Sequence, residues 1–188
     1  MRFGVRQFEL ALMHRMRDLD AARVDDALEA MGATRAELRA AHTQWTAMAH
    51  SARAPKGRAL YRMALGPPAD EGARPVGSLT CDVARWRLPS WPDLRFEVLL
   101  GPGGEVWNQW FVRPGAPKVL SLAELVPWGC VVADVGASFP GASHLEGSAP
   151  HHWTVGFTHE GADYRARFVY GLYQRLDRAD GASGGGLT

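Results

Sequence analysis

Residues 151–170, HHWTVGFTHEGADYRARFVY, decide the fold. Glu160-Gly161 is a two-residue turn of the hairpin kind, and it sets His159 opposite Ala162. Trp153 then meets Phe168, Val155 meets Ala166, and Phe157 meets Tyr164 on one face. The other face pairs His152 with Val169, Thr154 with Arg167, Gly156 with Arg165 and Thr158 with Asp163. A slip of one residue would oppose Trp153, Val155 and Phe157 to Val169, Arg167 and Arg165, so the apolar pattern specifies the register.

Residues 94–112, LRFEVLLGPGGEVWNQWFV, read as a second hairpin around Gly-Pro-Gly-Gly. Pairing Leu100 with Glu105 puts Val98 against Trp107, Phe96 against Gln109 and Leu94 against Phe111. The opposite face then carries Leu99 with Val106, Glu97 with Asn108 and Arg95 with Trp110. Upstream, residues 77–88 alternate, with Leu79, Cys81 and Val83 on one side. The polar segment 69–75 reads as a loop.

The first fifty or so residues have a helical period instead. Phe8, Leu12, Met16 and Leu19 recur at steps of three and four. Asp20 is a cap for a second helix with Val24, Leu28 and Met31, which Gly32 ends. Thr34-Arg-Ala-Glu37 has the spacing of a capping box and opens a third helix with Leu38, Ala41, Trp45 and Met48 inward. An αα-hairpin packed on a sheet accounts for this stripe, and a helix-turn-helix is the alternative. Residues 58–65 fit a strand or a short helix, and Pro67-Pro68 ends either. Ser121 caps a helical turn over 121–126, residues 129–135 read as a buried strand, and residues 136–150 as a long loop.

The expected fold is therefore α+β: an N-terminal helical layer packed on a mostly antiparallel β-sheet built from hairpins, a two-layer sandwich. One domain is expected over 1–178, helical in 1–53 and mainly β in 58–176, with a disordered tail over 179–188.

Composition narrows the function. Of the 188 residues, 21 are Lys or Arg and 20 are Asp or Glu, so the domain-wide basic excess of a nucleic-acid binder is missing and no nucleic-acid partner is expected. Only Lys56 and Lys118 are lysines and isoleucine is absent, which fits a GC-rich bacterial genome and makes part of the arginine content a codon effect. The N-terminal MRFGVRQFELALMHRMRD has no apolar signal core, and no long uncharged apolar run follows. A cytoplasmic protein without membrane contact is expected. Cys81 and Cys130, far apart and without a CxxC, read as small buried hydrophobes.

Catalytic signatures are missing. Gly136-Ala-Ser138-Phe-Pro140 fails the last position of a nucleophile elbow, and there is no Walker A loop, strand-anchored GxGxxG or HExxH. His152 and His159 lie at opposite ends of one strand, more than about 20 Å apart at ~3.3 Å per residue, so they cannot share a metal. No metal and no cofactor are expected.

Two features remain. Between Glu37 and Asp70 the chain carries Arg39, Arg53, Lys56, Arg58 and Arg62 without an acid, a stretch (38–65) suited to an anion or a nucleic acid. The second is Trp110 on a polar face with Arg95, Glu97 and Asn108, with His152, Thr154, Arg165 and Arg167 on the polar face of the other hairpin. An aromatic among charged hydrogen-bonding groups is the composition of a binding surface. These eight residues are the expected ligand site of a non-catalytic accessory protein that captures a peptide or protein partner on the sheet's polar face or edge, as in a bacterial peptide-modifying pathway. The alternatives are a small hydrolase-like enzyme using Glu97 or His152, and an anion or nucleic-acid binder working through 38–65. A homodimer that buries Trp110 would produce the same pattern.

Overall fold

The computed structural model describes residues 3–149 and 151–179. The chain divides into two compact units, residues 1–115 and 116–188. The fold is α+β, and its strands form two antiparallel four-stranded sheets, each in the order of the chain. No helix among the described residues is long and apolar enough to cross a membrane.

In the first unit, four helices precede four strands: α1 (Val5–Met16), α2 (Ala21–Ala30), α3 (Arg35–His50), α4 (Arg58–Leu65), then β1 (Asp70–Val76), β2 (Leu79–Leu88), β3 (Trp91–Leu100) and β4 (Val106–Val112). The caps form as their residue types dictate. Asp20 Oδ1 accepts from the Arg23 amide at 3.0 Å, and Thr34 and Glu37 exchange bonds at 3.2 and 2.8 Å. In α4 the buried residues are Leu60, Tyr61 and Ala64, a helical spacing that settles the ambiguity of 58–65, and Gly66 at φ 80° ends it.

The helical layer lies on one sheet face through aromatic rings. Phe8 of α1 meets Phe96 of β3 edge-on at 5.1 Å and Trp45 of α3 at 4.9 Å; Tyr61 of α4 lies 5.7 Å from Trp86 of β2. Each such buried side chain is worth about 1.5–3 kcal/mol of transfer free energy. Ala84 and Trp86 oppose Val98 and Phe96 on the face that meets the helices, so Leu79, Cys81 and Val83 are on the other face.

Two expectations need correction here. The segment read as the loop 69–75 is β1, an edge strand rich in charge and holding Pro75, features that keep an edge from pairing further. The 94–112 hairpin is displaced by two residues: Val98 opposes Gln109 and Phe96 opposes Phe111. The turn is longer than four residues, with the Gly101 amide donating to Glu105 O at 2.8 Å, and a bulge follows Leu99. A shift of two keeps each side chain on its assigned face.

The second unit holds a 3-10 turn (Leu122–Glu124), α5 (Val132–Ser138), β5 (Ser143–Ala149), β6 (His152–His159), β7 (Ala162–Val169) and β8 (Leu172–Arg178). The β6–β7 register is the one the sequence specifies, from His159 opposite Ala162 to His152 opposite Val169. Val155, Phe157, Ala166 and Phe168 form its core with Val135 and Phe139, and Phe139 stacks on Phe157 at 4.1 Å. Ser121 is the N-cap of the 3-10 turn as expected, and its amide donates to Glu124 Oε2 at 2.8 Å.

Residues 129–135 are not a strand. Val131 makes one bridge to Leu172, and then the chain turns helical because Asp134 Oδ2 accepts the Val131 amide at 3.0 Å. Val131, Val135 and Phe139 recur every four residues and are all buried. Residues 136–150 are not wholly a loop, for β5 pairs with β6, from Ser143 opposite Gly156 to Ala149 opposite His152. Ala179, placed in the expected tail, donates to Asp163 O at 2.8 Å; residues 180–188 lie outside the described residues.

Candidate functional site

Strand register places one row of residues across the first sheet, on the face away from the helices. Asp70 of β1 opposes Arg85 of β2, Arg85 opposes Glu97 of β3, and Glu97 opposes Trp110 of β4. Charge alternates along the row and ends on an aromatic ring, the cross-strand pairing that stabilises sheets.

The side chains complete what the register begins. Arg85 donates Nε to Glu97 Oε2 and Nη1 to Asp70 Oδ1, each at 2.6 Å. Arg74 Nη2 approaches Glu97 Oε1 at 2.9 Å as an ion pair, outside hydrogen-bond alignment. The Arg74 guanidinium also lies 5.3 Å from the centroid of the Trp110 ring, a cation–π contact. Glu97 is 0% exposed, so its charge is tolerable only because two guanidinium groups hold it. Burial works against the charge of Arg85, and its bonds to Asp70 and Glu97 outweigh that, leaving its pKa raised. Beside these groups lie Cys81, Val83 and Leu99, a small apolar cluster against which Val76 and Trp110 pack.

Arg74, Arg85, Arg95, Arg113, Asp70 and Glu97 line a pocket of about 400 Å³ walled also by Val112 and Pro114. Of the expected site residues, Arg95 and Glu97 thus share a pocket, and Trp110 joins them through Arg74. Arg95 does not stack on Trp110; its Nη1 donates to the carbonyls of Leu94 and Pro92 at 2.7 and 3.2 Å. Asn108 is one row further along β4, opposite Leu99, and its Oδ1 accepts from the Gln109 amide.

The other four residues belong to the second sheet, in the second unit. There Arg167 donates Nε to Asp177 Oδ2 at 2.9 Å and Nη1 to Thr154 Oγ1 at 3.1 Å, so its carboxylate partner is the chain's own. Arg165 is exposed and lines a separate pocket with Asp163 and Tyr164. His152 is half-buried at the start of β6.

The sequence reading missed Asp70, Arg74 and Arg85. Arg85 has the same strand parity as Cys81 and Val83, which is a usable signal once those residues are placed on the outward face. The basic stretch 38–65 is partly used within the fold: Arg58 pairs with Asp82 at 2.8 Å and with Glu71 at 3.3 Å, and Lys56 Nζ donates to Ala49 O at 3.0 Å.

No protein-family model matches the sequence, and no curated protein matches it. Among solved structures, a "putative beta-lactamase inhibitor protein" from Streptococcus mutans is similar at a TM-score of 0.29 and 12% identity, over 70% of this chain and 86% of that one. A likeness at that score carries no argument about fold or function.

Proposed function

We propose that the protein is a non-catalytic binding protein that captures a peptide or a protein partner on the face of its first sheet. The observation that carries this reading is the arginine-lined pocket beside the Arg74–Trp110 stack. A charged concavity flanked by a partly buried aromatic is a chemistry of recognition. Glu97 supports binding over catalysis, because it is fully buried and guanidinium groups of Arg74 and Arg85 engage both of its oxygens. His152, the other acid–base candidate, is on a different sheet. The face is favoured over the β1 edge, where Pro75, Asp70, Glu71 and Arg74 discourage an added strand.

Selection of a random peptide library on the immobilised protein tests the reading. Enriched peptides are expected to change the tryptophan fluorescence of the protein and to lose binding to the Arg74→Ala and Trp110→Phe variants. No enrichment over a blank surface, or equal binding to both variants, overturns it.

A further inference from the structure

The guanidinium groups of Arg85 and Arg95 are only partly used by the fold. Arg85 engages Nε and Nη1, which leaves Nη2; Arg95 engages Nη1, which leaves Nε and Nη2. No acceptor among the described residues meets these three donors. Both side chains are held in place, Arg85 by two carboxylates and Arg95 by two backbone carbonyls, so an incoming anion meets fixed donors. Arg74, Arg85 and Arg95 share the lining with two carboxylates, Asp70 and Glu97, and this mixture of charge selects among anions. A dianion near those two carboxylates is repelled, whereas a planar monoanion matches the guanidinium fork. Val112 and Pro114 add an apolar wall beside the charged groups, where an aliphatic side chain next to the anion can pack.

We propose that this pocket is a carboxylate subsite that takes the free C-terminal carboxylate of the captured peptide, a proposal that rests on the binding reading above. The Nε and Nη2 groups of Arg95 and the Nη2 of Arg85 donate to the carboxylate oxygens. Asp70 competes with the ligand for Arg85.

The test follows the arginine Nε–H resonances of the full chain by NMR during titration with four probes: N-acetylvaline, its C-terminal amide, N-acetylglutamic acid α-amide, and inorganic phosphate. N-acetylvaline is expected to move the Arg85 and Arg95 signals saturably and to bind at least about tenfold tighter than its amide, since bonds to a charged group are worth about 1.5–3 kcal/mol. Arg95→Gln is expected to weaken binding about tenfold, and Asp70→Asn to tighten it, with circular dichroism confirming that both variants are folded. Because the two substitutions act in opposite directions, a general loss of structure cannot imitate the result. Equal binding of the amide, or no shift with N-acetylvaline, overturns the subsite. Equal binding of the α-amide of glutamic acid overturns the C-terminal assignment, and tighter binding of phosphate overturns the choice of anion. If C-terminally amidated library peptides still bind in a Trp110-dependent way, the subsite falls and the binding reading stands. If N-acetylvaline binds but no peptide is enriched, the binding reading falls instead.

Discussion

Arg74 reaches Glu97 over an intervening strand: its guanidinium, rooted on β1, lies 2.9 Å from a carboxylate on β3. Its stem therefore spans the face above β2, and one side chain joins the sheet's edge to its interior. The stem of a long cation covers apolar surface while its head stays polar, and here the head is fixed by a buried acid.

Removal of that acid exposes its worth. Glu97→Ala removes the carboxylate that Arg74 and Arg85 share and leaves Asp70 as the carboxylate partner of Arg85. The expected loss is about 2–4 kcal/mol, below the full value for a broken buried pair because the two guanidinium side chains retain 39% and 27% exposure. Urea unfolding measures it, and a loss under about 0.5 kcal/mol would show that the network is not structural.

His14 of α1 and His42 of α3 stack at 4.1 Å with their planes 2° apart. Burial lowers the pKa of both below the ordinary imidazole value of 6.5. Arg15, Arg17 and Arg39 add to the effect at His14, His14 and Arg15 add to it at His42, and Asp18 opposes it at each. Below pH 6.5 the unfolded chain binds these protons more readily than the folded one, so stability is full above that value and falls as pH drops through it. Melting temperature between pH 7.5 and 5 is expected to fall more steeply for the wild type than for His14→Gln/His42→Gln. Parallel slopes would sink this assignment.

Gly57 begins α4 at φ 56°, and a Cβ added there would stand 2.1 Å from the carbonyl oxygen of Gly104. A methyl group has neither the dihedral nor the space. Gly57→Ala is expected to cost more than about 1 kcal/mol, where a compatible Gly→Ala change would stabilise. An unchanged denaturation midpoint would contradict the close approach of α4 to the β3–β4 turn.

Cys81 and Cys130 are free thiols at 1% and 2% exposure. Neither is expected to react with an aromatic disulfide reagent on the timescale of minutes until denaturant is added. Prompt release of one equivalent in buffer would show that the surrounding structure opens locally.

The parts of the fold legible in the sequence are those where large apolar residues alternate or recur with a clear period. Trp153, Val155, Phe157, Tyr164 and Phe168 admit a single register, and it is the one observed. The Gly-Pro-Gly-Gly turn fixes no length by itself, so the earlier hairpin is offset by two. β1 and β5 are edge strands with few large apolar residues, and their pairing leaves no alternation to read. The run Cys130, Val131, Val132 is equally apolar as a strand or as the entry to a helix; the carboxylate of Asp134 decides it. In the candidate site, Arg95, Glu97 and Trp110 were readable because they share a face. Arg74 was hidden in a segment read as loop, and Arg85 in a strand whose neighbours were not assigned. Side-chain parity groups residues within a hairpin but does not say which hairpins join one sheet, so four of the eight fall on the second.

Both sheets keep strict chain order. Every strand pairs only with the one just made or the one next to come, so no strand waits for a distant partner and each turn closes a short loop. Chain-closure entropy is then met in small instalments, which favours rapid acquisition of structure. During synthesis each ladder can extend strand by strand as the polypeptide leaves the ribosome, growing at its newest edge while β1 or β5 remains the fixed edge at the other side.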